Sequence, residues 1–150
     1  MKKLFAAAIV LAASALGAPN LTGDWKLNLQ KSQYGPIPAP VEVTRKIKLD
    51  GVNLSMHTEQ KTAQRDSSSD LKYTTDGKEC VNKVTNGDAK GAAHWDGDTL
   101  IIESSQMNGP QELKSREVWS LSGDGKTLTI QTHLTLPQGG VDVKQVFDRQ

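Results

Sequence analysis

Apolar and polar residues alternate one for one through most of this chain, and short turn dipeptides cut the alternation into runs. Val41, Val43, Arg45, Ile47 and Leu49 fall in one phase, and Glu42, Thr44, Lys46 and Lys48 in the other. After Asp50-Gly51, Val52, Leu54 and Met56 alternate with Asn53, Ser55 and His57. A period of two sends successive side chains to opposite faces of a β-strand. Two such runs around Asp-Gly predict a hairpin, with glycine supplying the positive φ that a type I′ turn needs.

The same grammar holds from end to end. Thr22 to Leu29 reads as the first strand, with Trp25, Leu27 and Leu29 on one face and Asp24, Lys26 and Asn28 on the other. The stretch from Gln30 to Pro40 carries prolines at 36, 38 and 40, which exclude a helix interior or a central strand. It is expected to be an extended loop, either a stiff connector or a lid with Tyr34 and Ile37 as its apolar contacts. Residues 60–69 are polar and without period, and predict a solvated loop or a splayed hairpin end. Turn signals recur at Asp76-Gly77, Asn86-Gly87, Asp96-Gly97, Asn108-Gly109 and Gly123-Asp124-Gly125. Strands are expected around 71–73, 79–85, 89–95, 99–104 and 111–121. Val118 is out of phase beside Trp119, which predicts a bulge or a partly covered outer face. The last two runs are Leu128 to Leu136 and Val141 to Arg149, on either side of Pro137-Gln138-Gly139-Gly140.

Residues 1–17 stand apart. Lys2 and Lys3 precede an apolar stretch from Leu4 to Ala13, and small residues follow. This is the pattern of a cleaved signal peptide, with the cut after Ala15 or Gly17, and the stretch is too short to span a bilayer. The expectation is an exported protein, periplasmic or secreted, with one domain over 18–150 and no membrane span once the leader is gone. Cys80 is the only cysteine, so no internal disulfide can form. Without Lys2 and Lys3 the 18 basic residues become 16 against 17 acidic ones, a net charge of −1. Charge so balanced and scattered gives no reason to expect nucleic acid as a partner.

Nine or ten strands joined by tight turns must be antiparallel neighbours, because parallel strands need long crossovers. A meander this long leaves bare edges unless it closes on itself. The expected fold is therefore all-β, an antiparallel up-and-down barrel of eight to ten strands, with a two-sheet sandwich as the alternative. Closure would pair the first strand with the last. Gly23-Asp24-Trp25 resembles the Gly-x-Trp motif on the first strand of the lipocalins and their calycin relatives. The resemblance implies a basic residue at the end of the last strand, lying over the tryptophan, and Arg149 matches in position and phase. Leu21 to Asn28, Lys31-Ser32 to Pro40 and Asp124 to Thr129 are also similar to exported bacterial proteins described as lipocalin-like. Gly23, Trp25 and Arg149 are thus the expected closure residues.

The resemblance implies an apolar cavity with a few placed polar groups. In the inward phase these are Arg45, Tyr73, Glu117, Trp119 and Gln145. A buried charge is costly unless paired, so Arg45 and Glu117 are expected to pair with each other or to hold a polar ligand group. His57, His94 and His133 lack ligand spacing, and no cofactor or metal is expected. The serines and threonines lie on outward strand faces with no base beside them, so no enzyme is expected. Two functions fit: a carrier of a small apolar or amphipathic molecule, or an envelope interaction module whose barrel is filled by its own side chains.

Overall fold

The computed structural model describes residues 18–150; the expected leader lies outside them. Ten strands form one antiparallel sheet: β1 (Gly23–Leu27), β2 (Glu42–Asp50), β3 (Asn53–Lys61), β4 (Asp66–Thr74), β5 (Cys80–Val84), β6 (Gly87–Asp96), β7 (Thr99–Asn108), β8 (Gln111–Leu121), β9 (Thr127–Leu136) and β10 (Gly139–Arg149). Their order is β4-β3-β2-β1-β10-β9-β8-β7-β6-β5. Every pairing joins sequence neighbours except that of β1 with β10. The sheet curls into a nearly closed barrel, with β4 and β5 facing each other across the remaining seam.

The β1–β10 junction sets Trp25 opposite Arg149. The guanidinium carbon stands 4.3 Å from the centre of the indole. Its fork donates to three carbonyls: Nε to Gly125 at 2.8 Å, Nη1 to Thr22 at 2.6 Å and Nη2 to Asn20 at 2.8 Å. The Trp25 indole N–H donates to the Leu21 carbonyl at 3.0 Å. Gly23 is required because a Cβ there would lie 2.6 Å from Arg149 Nη1. The motif therefore works as one part. The glycine leaves room, the indole supplies a face, and the arginine ties loose carbonyls at the closed end.

Above this plug the inward phase is apolar and packed. Ile47, Leu54, Leu100, Trp119, Leu128, Ile130 and Phe147 are at most 1% exposed. They come from six different strands, and the register brings Leu54 beside Leu49 and Tyr73, and Trp119 between Leu100 and Ile130.

Three local expectations are corrected. Leu29 does not continue β1: the Asn28 side chain accepts from the Lys31 N–H at 3.2 Å and starts a 3₁₀ turn, Leu29–Lys31, that leaves Leu29 exposed. The β2–β3 loop is Gly51-Val52, with Asp50 opposite Asn53. Gly51 has φ +58° and Val52 does not share it, so the first loop position alone takes positive φ, as in a type II′ turn. Residues 60–69 are largely strand, because cross-strand pairing from Glu42–Lys61 to Lys61–Asp66 carries β3 and β4 outward despite their polarity. For Val118 the second expected alternative holds: it sits in an unbroken ladder opposite Ile101 and Gln131, without a bulge, half-buried on a partly covered outer face.

Replacing Arg149 by Ala removes three charge-assisted hydrogen bonds, and about 2–4 kcal/mol of unfolding free energy should go with them. Lysine, lacking the planar fork, should recover less than half. Urea unfolding followed by tryptophan fluorescence measures both; an R149A protein as stable as the parent refutes the closure account.

Candidate functional site

The two ends of the barrel differ. Inward positions near Trp25 are sealed, whereas toward the far end Val43 and Val143 are buried and several others are not. Leu113, Ser115 and Glu117 on β8, Thr132, Leu134 and Leu136 on β9, and Val141 and Gln145 on β10 all keep partial exposure although they share the inward phase. A barrel filled to the top would bury them. The barrel therefore has an aromatic floor, Trp119 and Phe147, and a more open end, its mouth, away from Trp25.

A belt of polar groups lies on that floor. Arg45 projects from β2 over two rings, 5.6 Å from the centre of Trp119 and 5.1 Å from that of Phe147. Its Nε donates to Thr58 Oγ1 at 3.0 Å. Its Nη1 is shut off from solvent and has no hydrogen-bond partner. Burial lowers the Arg45 pKa, while the nearby charge of Glu117 acts to raise it. Glu117 is close enough to be felt, yet no ion pair joins the two. Its Oε2 instead accepts the Trp119 indole N–H at 2.7 Å, a partner two residues along the same face. The expected Arg45–Glu117 pair is thus absent, because the indole holds the carboxylate and leaves the guanidinium one donor short.

The remaining groups complete the belt. Gln145 Nε2 donates to the Tyr34 hydroxyl at 2.8 Å. Burial raises the Tyr34 pKa, with the Gln145 hydrogen bond opposing it. Tyr73, 5% exposed, has its pKa pushed up to about 12, first by burial and then by the charge of Glu117. Its ring reaches across the interior to Gly91 of β6, where a Cβ would stand 3.0 Å from Tyr73 Cε1. Beyond it, Ser104 and Ser115 face each other with their hydroxyls 2.8 Å apart.

The proline segment runs along the mouth. Gln33 exchanges two backbone hydrogen bonds with Lys144, at 2.7 and 2.8 Å. Ser32 Oγ accepts from the Val146 N–H at 2.9 Å and donates to the Asn28 carbonyl at 2.7 Å. Together they carry the pairing of β10 past the short β1. Tyr34 packs on the core, Ile37 is half-buried and Pro40 is buried.

All five residues nominated for the interior, Arg45, Tyr73, Glu117, Trp119 and Gln145, lie on inward positions around this floor, with Tyr34 beside them. Thr58 and the Ser104–Ser115 pair were not nominated. Thr58 continues the inward phase of Leu54 and Met56, so period alone could have found it. His57 and His133 face outward, each against an aspartate across its hairpin: His57 Nδ1 to Asp70 Oδ1 at 2.7 Å, His133 Nδ1 to Asp142 Oδ1 at 2.6 Å. Among the described residues no three His, Cys, Asp or Glu side chains group as metal ligands, and no helix is long and apolar enough to cross a membrane.

No protein-family model matches the sequence, and no curated protein matches it. Solved structures do match. Zebrafish ileal bile acid-binding protein complexed with cholic acid aligns at TM-score 0.63 and 17% identity, over 86% of this chain and 98% of that one. A secretory abundant heat soluble protein from Ramazzottius varieornatus gives 0.59 and 16%, over 87% and 95%. A Schistosoma mansoni fatty acid binding protein in complex with arachidonic acid gives 0.55 and 21%, over 89% and 99%. At these identities the likeness is one of fold: the chain is a calycin-type up-and-down barrel.

The outer wall supplies a pH test. Hydrogen bonds to Asp70 and then Glu59 raise the His57 pKa; Lys46, opposite on β2, lies 3.9 Å from Asp24 instead. A histidine whose pKa rises on folding stabilises below its unfolded value, about 6.5, and loses that contribution as pH climbs through the folded value. H57Q should therefore melt below the parent at about pH 5.5, and the gap should close by about pH 8.5. A gap that widens with pH contradicts the pairing.

Proposed function

We propose that this protein binds a small amphipathic anion, with the acidic head on Arg45 above the aromatic floor and the apolar body toward the mouth. One observation carries the reading: a buried guanidinium nitrogen with no hydrogen-bond partner, held against the two rings of the floor. Leaving such a donor unsatisfied costs about 1–3 kcal/mol, and more for a charged group. A ligand carboxylate would meet it with a charge-assisted bond. The side chains around it suit the task. Trp119 and Phe147 offer flat apolar faces, while Leu113, Leu134, Leu136 and Val141 line the approach. Ser115, Thr132 and Gln145 add a few hydrogen-bonding groups, the usual mix of a small-molecule site.

Two structural neighbours were solved with carboxylic acids, cholic acid and arachidonic acid, which supports the ligand class. The leader expected at 1–17 would put the binding outside the cytoplasm, with the protein a carrier or store rather than a catalyst.

Arg45→Met tests this directly. It removes a cation from a site that holds no counter-ion in contact, so stability should hold or rise, since buried charges are often replaced by apolar residues without loss. Affinity for an anionic fluorophore such as 11-(dansylamino)undecanoic acid should fall at least about tenfold, or 1.4 kcal/mol. Affinity for its methyl ester should change little. Equal losses for acid and ester, or no loss for either, reject Arg45 as the anchor.

A further inference from the structure

The barrel is zipped all the way round except between β4 and β5, where one side chain takes the place of a ladder rung. β4 and β5 share no ladder. Asn82, on β5, stands in for one rung. Its Oδ1 accepts the Lys72 N–H at 2.8 Å and its Nδ2 donates to the Lys72 carbonyl at 3.0 Å. A primary amide presents one donor and one acceptor side by side, which matches the two groups a strand shows its neighbour. Asn82 is 7% exposed. Below it the seam is shut: Thr74 Oγ1 meets Cys80 Sγ at 3.7 Å, Tyr73 lies over Gly91, and the Gly77 N–H donates to the Ala93 carbonyl at 2.9 Å.

Above Asn82 the strands part. The inward positions of β4 record it: Tyr73 is buried, Leu71 half-buried, and Ser69 and Ser67 exposed. β5 ends at Val84 while β4 runs on to Asp66. Residues 66–70, Asp-Ser-Ser-Ser-Asp, are polar along this bare edge, a composition that discourages pairing with another chain. The wedge thus leads sideways from solvent to the level of Tyr73 and Ser104, just above the aromatic floor.

We propose that the β4–β5 seam is the lateral gate through which ligand reaches the barrel interior, with the Asn82 amide as its latch. This rests on the binding reading above. Two hydrogen bonds from one side chain can break and re-form without disturbing any β-ladder, so the seam is the least costly route through the wall. The proline segment, by contrast, is tied to β10 at Gln33 and Ser32, and Tyr34 is tied to Gln145.

Stopped-flow binding of 11-(dansylamino)undecanoic acid tests the gate with two variants that act in opposite directions. N82A should raise the association and dissociation rates together, each at least threefold, and leave their ratio within twofold of the parent. T74C should staple the seam through Cys80, whether oxidised with diamide or bridged by a short bis-methanethiosulfonate. Association should then slow at least tenfold and recover on adding dithiothreitol. A stapled protein that binds at the parental rate overturns the gate and leaves binding intact. A parent protein that binds no probe overturns the binding reading and the gate together. Should N82A fail to fold, the stapled variant decides alone.

Discussion

The structure depends on the junction of its first and last strands. Without the β1–β10 pairing, the ten strands would be two separate ribbons, β1–β4 and β5–β10, because no ladder joins β4 to β5. Trp25 and Arg149 fix that junction by two different kinds of contact. The indole fills the end of the barrel, and the guanidinium gathers carbonyls from Asn20, Thr22 and Gly125 that have no ladder to join. Because those carbonyls belong to the leading segment and to the β8–β9 turn, one side chain ties three stretches of chain to one point. The interior above them is then a defined space rather than one face of a sheet.

That space is divided by chemistry. The lower half is filled by side chains 0–1% exposed, and the upper half keeps its inward residues partly accessible. The filled half has a purpose beyond stability, since it gives the polar belt a rigid base. Arg45 is held between two ring faces and Thr58, and Glu117 is held by the Trp119 indole. Neither charge can relax toward the other, so the guanidinium keeps an unused donor.

Much of this was legible in the residues, for a definable reason. Period two specifies which face a side chain takes, and Arg45, Tyr73, Glu117, Trp119 and Gln145 all lie on the face their phase implied. Pairing of the ends followed from phase as well, because Arg149 shares the phase of Val141, Val143 and Phe147. Period does not specify where a strand stops. Leu29 keeps the phase of Trp25 and Leu27, but the Asn28 cap competes with the strand and wins. Polar strand ends such as 60–69 carry no apolar signal, so only cross-strand hydrogen bonding reveals them. Phase also says nothing of contacts within a face. That Glu117 would turn to Trp119 rather than to Arg45 is a matter of a few ångströms, and no pattern of hydrophobicity encodes it. The seam was hidden for the same reason: Asn82 looks like any polar strand residue until its two bonds to Lys72 are seen.

The strand order has a consequence for how the molecule comes to be folded. Every pairing but one joins neighbours in sequence, so two ribbons, β1–β4 and β5–β10, can each grow hairpin by hairpin at small entropic cost. The exception brings together groups 120 or more residues apart, as in the Asn28–Asp148 and Arg149–Thr22 bonds. Loop-closure entropy makes such a contact unfavourable until the intervening strands are already in place. Sealing of the cylinder is therefore the concluding event of assembly, and it must wait for the tenth strand. Until then the chain persists as two open ribbons with their apolar faces uncovered, the faces that the last pairing turns inward.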